Sequence, residues 1–110
     1  NDQFVSPLSS INYYNSVRKV MGKEADAVLR LFMAPGRGHC GGGPGPNTFD
    51  GLSPLEKWVE SEVAPERIVA SRLRNGAIDR TRPLCPYPQA AQYTGRGSTD
   101  EAANFVCKTP

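Results

Sequence analysis

The chain is organised around the stretch Ala34-Pro35-Gly36-Arg37-Gly38-His39-Cys40-Gly41-Gly42-Gly43-Pro44-Gly45-Pro46. Glycine and proline at this density break regular structure, so the stretch predicts a loop. It contains His39, the only histidine of the sequence, directly after an apolar run. A histidine in such a loop is typical of the general base of an α/β enzyme, because imidazole exchanges a proton near neutral pH. We therefore expect His39 to be a base; a surface histidine without a role is the alternative.

The residues before this loop predict a helix followed by a buried strand. Ser6 and Pro7 suit an N-cap and a first helical position, and Gly22 suits the residue after the helix end. Between them, apolar side chains recur at helical spacing at Leu8, Ile11, Tyr14, Val17 and Met21. The nearly continuous apolar run Ala27–Ala34 predicts a strand covered on both faces of a parallel sheet.

The residues after the loop predict a second helix, a short strand and a loop-rich tail. Ser53 and Glu56 form a capping-box pattern for a helix that ends before Pro65. A strand is expected at 67–72 and a turn at Asn75-Gly76. From residue 80 onward, frequent proline and glycine predict mostly loop, with one helical turn within 99–104.

Length and charge place limits on the function. The chain has 110 residues, 38% of them hydrophobic, which predicts one small domain with a modest core. The formal net charge is only +2 and the charges are dispersed, so we expect neither a nucleic acid nor an anionic membrane as partner. No apolar run approaches the roughly 20 residues of a membrane span.

The three cysteines cannot all pair within the chain. The simplest arrangement is a disulfide between Cys85 and Cys107, with Cys40 paired to a cysteine outside this sequence. A zinc site formed by His39 and the three cysteines is an alternative. It is disfavoured because none of the spacings is of the usual C-x₂₋₄-C type.

The order of acid, helix, strand and histidine matches the last two members of a Ser-Asp-His triad in an α/β-hydrolase. Asp2 lies one helix–strand unit before His39, which makes it the preferred acid. Asp26, Asp50 and Asp79 are its rivals, and a solvated terminal aspartate is the remaining alternative for Asp2.

Four segments resemble the tannase and feruloyl esterase family. The segment Phe32–Gly45 resembles its histidine motif and Asp2–Pro7 resembles its acid motif. The segments Arg82–Pro88 and Ala102–Cys107 resemble the family's C-terminal tail. The resemblance extends over essentially the whole chain.

The resemblance implies a role for each site residue. His39 would be the general base and Asp2 the acid that orients it. Cys40 would form a disulfide with a cysteine that precedes the nucleophilic serine, and Cys85–Cys107 would match a disulfide of the tail. Arg37 replaces a residue that is commonly methionine in the motif, and we assign it no role.

The resemblance also implies a fold and an activity. The fold class would be α/β, with residues 1–110 forming the C-terminal part of a single α/β-hydrolase domain. The serine, the oxyanion hole and a lid domain with possible calcium would lie upstream, so this chain alone is expected to be inactive. The longer enzyme would be a secreted or periplasmic serine carboxylesterase acting on feruloyl, galloyl or related phenolic esters, including feruloylated polysaccharides; a terephthalate monoester is another possible substrate. A non-catalytic, disulfide-bearing binding module derived from such an esterase is the alternative.

Overall fold

The computed structural model describes residues 4–110, so Asp2 lies outside the described residues. Its regular elements are helices α1 (Pro7–Met21) and α2 (Leu52–Ser61) and strands β1 (Ile68–Arg74), β2 (Ala77–Leu84), β3 (Ala90–Tyr93) and β4 (Phe105–Lys108). Short 3₁₀ helices occupy Gly22–Ala27 and Ala102–Asn104. In this part of the chain neither α-helix has the length and apolar character needed to cross a bilayer.

The prediction for α1 is confirmed. The Ser6 hydroxyl accepts a hydrogen bond from the Leu8 amide, and Gly22 follows the helix with a positive φ of 63°. Tyr14, the buried residue of the helix, packs edge-on against Tyr87 with ring centroids 5.9 Å apart. This aromatic pair attaches α1 to the C-terminal tail.

The predicted strand at Ala27–Ala34 is not formed within residues 4–110. Ala27 ends a 3₁₀ helix, and the only bridge of the segment is an antiparallel one between Phe32 and Pro86. Because proline has no amide hydrogen, Pro86 cannot extend this bridge into a ladder. The segment contributes one further backbone bond, from the Tyr87 amide to the Leu31 carbonyl (2.7 Å).

The predicted parallel sheet is likewise not found within residues 4–110, where both sheets are two-stranded and antiparallel. β1 pairs with β2 from Ile68–Leu84 at one end to Arg74–Ala77 at the other. The two-residue Asn75-Gly76 turn is confirmed, with φ of 53° and 78°. A two-residue connection joins strands only in the antiparallel sense.

Helix α2 begins at Leu52, two residues earlier than the capping-box pattern predicts. The Asp50 carboxylate accepts the amide hydrogens of Leu52 (3.0 Å) and Ser53 (3.1 Å). Asp50 therefore caps the helix in place of the predicted Ser53. A hydrogen bond from the Ser53 hydroxyl has the largest effect on the Asp50 carboxyl and lowers its pKa. The two amide hydrogen bonds lower this pKa further. Two apolar side chains of the helix are open to solvent: Leu55 is 53% exposed and Val59 is 75% exposed.

The tail is more regular than predicted, because β3 and β4 form a ladder that places Ala91 opposite Cys107. The predicted disulfide between Cys85 and Cys107 is present, with Cα atoms 5.6 Å apart. It joins the end of β2 to β4. The small core lies mainly here, and its buried apolar residues within the described range are Tyr14, Ala25, Ala70, Leu84, Cys85, Ala102 and Phe105.

Candidate active site

The glycine-rich stretch forms a loop that two backbone hydrogen bonds close, and His39 lies near the tip of this loop. The Gly45 amide donates to the Gly36 carbonyl (3.0 Å), which closes the base of the loop. The Gly38 amide donates to the Gly42 carbonyl (2.9 Å) and closes the tip. His39 is exposed between these bonds, as a base that must reach a substrate requires.

Glycine is required where the two arms of this loop touch. A Cβ atom on Gly45 would lie 2.4 Å from the Pro35 carbonyl oxygen. A Cβ atom on Gly43 would lie 2.1 Å from the Gly36 carbonyl oxygen, at a φ of +100°. Both distances are far below van der Waals contact with backbone atoms that cannot move aside, so a side chain would force the loop open.

The acid motif and the histidine motif meet in the structure. The ring of Phe4 packs edge-on against the ring of His39, with centroids 5.2 Å apart and planes at 81°. Phe4 follows Asp2 by two residues in the sequence. The contact therefore brings the chain that follows the predicted acid next to the predicted base.

The three rival acids are all engaged by other groups. Asp26 forms an ion pair with Arg18, and Asp50 caps α2. Asp79 binds Arg72 in a bidentate ion pair, which lowers the pKa of the Asp79 carboxyl. Each carboxylate thus has a structural partner of its own.

The loop is anchored from outside by residues that the sequence did not point to. The Asn47 side-chain amide lies 3.4 Å from the Gly43 carbonyl oxygen and 3.3 Å from that of Gly45. Arg72 of β1 donates to the Pro44 carbonyl (3.2 Å) across 28 residues of sequence. The Arg72 contact joins residues far apart in the chain, so local sequence patterns cannot reveal it.

Cys40 lies beside His39, is exposed and has a positive φ of 60°. It is the free cysteine of the described chain, since Cys85 and Cys107 are bonded to each other. The zinc alternative therefore loses two of its four ligands. Within residues 4–110 no three His, Cys, Asp or Glu side chains form a cluster suited to a metal ion.

Arg37 has contacts that hold it against the loop. Its guanidinium lies over the Phe49 ring, 5.3 Å from the centroid, and donates to the Cys40 carbonyl at 3.5 Å. Beside it, a cavity of about 420 Å³ opens between the start of α1 and the segment that leads into the loop. Ser6, Ser10, Phe32 and Arg37 are among its lining residues.

Several known proteins are similar to this chain over nearly its whole length. The family model described as "Tannase and feruloyl esterase" matches residues 1–108. A mono(2-hydroxyethyl) terephthalate hydrolase of Piscinibacter sakaiensis is 44% identical over 113 residues, which cover 100% of this chain and 19% of that protein. A probable feruloyl esterase of Arthroderma benhamiae is 38% identical over 112 residues, covering 96% of this chain and 21% of that protein.

The fold is also shared with a solved structure. The crystal structure of feruloyl esterase B from Aspergillus oryzae superposes with a TM-score of 0.85 at 27% identity, covering 97% of this chain and 25% of that one. The chain thus spans about a fifth to a quarter of the length of these proteins. The match over nearly all its residues shows that the chain belongs to the tannase and feruloyl esterase family.

Proposed function

We propose that this chain is the C-terminal part of the catalytic domain of a carboxylic ester hydrolase, here called the longer enzyme. The observation that carries the proposal is the contact between Phe4 and His39, which joins the acid motif to the histidine loop. A histidine presented at the tip of a rigid loop, with an acid motif beside it, is the arrangement that a Ser-His-Asp triad requires.

In the proposed reaction His39 accepts the proton of an upstream serine hydroxyl while the serine oxygen attacks the ester carbonyl. The protonated imidazole then gives that proton to the leaving alcohol. In the second half His39 activates a water molecule, which releases the acid and restores the serine. Asp2 holds the imidazole in the correct tautomer and stabilises its charged form.

The other expected features of the longer enzyme are part of the same proposal. Cys40 would form a disulfide with a cysteine beside the serine. The segment that leads into the loop would join the parallel sheet of an α/β-hydrolase domain completed by upstream strands. Calcium, which the resemblance implies for a lid domain, would belong to a part of the longer enzyme outside this chain. We propose a secreted or periplasmic location, and we expect the 110 residues alone to be inactive.

The proposed substrates are esters of aromatic acids, and the names of the relatives support this class. The terephthalate hydrolase and the probable feruloyl esterase are both named after an ester of an aromatic acid. Feruloyl, galloyl or related phenolic esters, free or attached to polysaccharide, are therefore the substrates to test.

The experiment is a comparison of aspartate variants in the longer enzyme, with methyl ferulate and methyl gallate as substrates. Asp2→Asn should lower kcat by about 10⁴-fold, because the amide favours the wrong tautomer of His39. Asp26→Asn is the matched control and should change kcat less than twofold, since Asp26 pairs with Arg18. An active Asp2→Asn variant, or a wild type that cleaves neither ester, would overturn the proposal.

A further inference from the structure

We infer that Arg72, held in place by Asp79, is a positioning residue for the loop that presents His39. The inference rests on the proposed function, since it assigns Arg72 a part in placing the proposed base. Arg72 lies on β1, in a hairpin separate from the loop, and acts on the loop through the Pro44 carbonyl.

The guanidinium of Arg72 has a donor for each of its contacts. Its Nε and one terminal nitrogen bind the two carboxylate oxygens of Asp79 at 2.8 and 3.0 Å. The other terminal nitrogen donates to the Pro44 carbonyl at 3.2 Å. The bidentate pair fixes the plane of the guanidinium, and a fixed plane aims the third donor at the loop.

The ion pair is shielded enough to act as a rigid support. The side chain of Arg72 is 20% exposed and that of Asp79 is 29% exposed. The Arg18–Asp26 pair, by comparison, leaves more of each side chain in water, at 41% and 54%. Asp79 also lies 3.5 Å from Arg74, so the carboxylate stays ionised beside two guanidinium groups.

The contact is made at the point that controls the closure of the loop. Pro44 immediately precedes Gly45, whose amide closes the base of the loop on Gly36. The next closing bond joins Gly38 to Gly42, on either side of His39. A shift of Pro44 would therefore alter both the base and the tip that holds the imidazole.

The same hairpin holds the chain where the loop ends. The Ser71 carbonyl accepts the amide hydrogens of Asn47 (3.1 Å) and Thr48 (3.0 Å), and the Ser71 amide donates to the Thr48 carbonyl (2.7 Å). Ser71 precedes Arg72, so backbone bonds fix the exit of the loop and the Arg72 side chain fixes its base. The β1–β2 hairpin thus acts as a frame for the histidine loop.

The test replaces Arg72 by Gln in the longer enzyme, with Arg80→Gln as the matched control. Arg80 lies on β2 and its Nε binds Asp100 at 2.7 Å, so the control loses an ion pair of the same kind that supports the tail instead. Arg72→Gln should lower kcat at least tenfold with KM within twofold, because a misplaced base slows chemistry more than binding. Arg80→Gln should leave kcat within twofold.

A second readout reports on the loop without using activity. Trypsin cleavage after Arg37, followed by mass spectrometry, should be faster in Arg72→Gln than in wild type and unchanged in Arg80→Gln. Arg72→Lys should behave like Arg72→Gln, because a single ammonium nitrogen cannot reproduce the fork. Arg72→Lys retains the positive charge, so it can replace Arg72→Gln as the test variant if Arg72→Gln fails to fold.

The outcomes separate this inference from the proposed function. If His39→Ala is inactive and the Arg72 variants match Arg80→Gln in kcat and in cleavage, the positioning role is wrong while the proposed function stands. If His39→Ala is active, the proposed function fails. Loss of kcat in Arg72→Lys with a melting temperature equal to that of Arg80→Gln would support the positioning role.

Discussion

Replacement of Gly45 by Ala tests whether the closed shape of the histidine loop is needed for activity. The added methyl group would lie 2.4 Å from the Pro35 carbonyl oxygen and 3.1 Å from the Gly36 Cα. The φ of Gly45 lies outside the left-handed region, so the effect is one of space alone. Because both contacts are with backbone, the loop can relieve them only by opening.

The magnitude follows from the cost of overpacking, which is about 1–3 kcal/mol and reaches the upper end when the opposing atoms are backbone. At about 1.4 kcal/mol per factor of ten, about 3 kcal/mol against the closed loop lowers kcat roughly a hundredfold. Gly42→Ala is the matched control in the same loop. It has no atom within 4 Å of the added methyl group, and its φ of +69° costs an L-residue only about 1 kcal/mol.

The assay is steady-state hydrolysis of methyl ferulate by the longer enzyme and its two alanine variants, with melting temperatures recorded in parallel. Gly45→Ala should lose at least ten times more kcat than Gly42→Ala while the global fold is retained. Equal kcat values for the two variants would refute the claim that contact between the arms of the loop positions His39.

Two further predictions concern stability. Replacing Cys85 and Cys107 together by Ser should lower the free energy of unfolding by about 3 kcal/mol, because the disulfide closes a loop with a sequence separation of 22. Recovery of both cysteines as free thiols from unreduced wild-type protein would contradict the presence of the disulfide. Asp79→Asn should lower the melting temperature at pH 7, and the difference from wild type should shrink as the pH falls below about 4. The sign follows because the hydrogen bonds from Arg72 lower the pKa of Asp79, so its stabilisation is present above its ordinary pKa and is lost as the pH falls through the lowered value. A melting-temperature difference that is the same at pH 3 and pH 7 would contradict the assignment.

Local signals in the sequence predicted the local elements. Ser6-Pro7 gave the start of α1, and Asn75-Gly76 gave the hairpin turn, because each depends on the conformational preference of one or two residues. The Cys85–Cys107 pairing was also predicted correctly, since three cysteines leave few arrangements.

Long-range pairing was not predictable in the same way. The apolar run Ala27–Ala34 suggested a strand, but a ladder needs a partner with free amides and Phe32 meets Pro86. The cap of α2 was assigned to Ser53, but the helix begins earlier and the Asp50 carboxylate accepts the amide hydrogens of Leu52 and Ser53. Arg72 gave no signal at all, since its role depends on a carbonyl 28 residues away.

The histidine loop is the part of the site that sequence reasoning predicted most fully. Its composition identified a loop, and its motif identified the family that the comparison shows. The closure of the loop on itself, by contrast, depends on backbone contacts between Gly36, Gly43 and Gly45 that only the structure reveals.

The most direct test of the account is kcat for hydrolysis of methyl ferulate by the longer enzyme with His39 replaced by Ala. If His39 is the general base, kcat should fall by about 10⁶-fold while the melting temperature stays within a few degrees of wild type, because the exposed imidazole contributes little to the core. A folded His39→Ala variant that retains more than about a tenth of wild-type kcat would contradict the central claim.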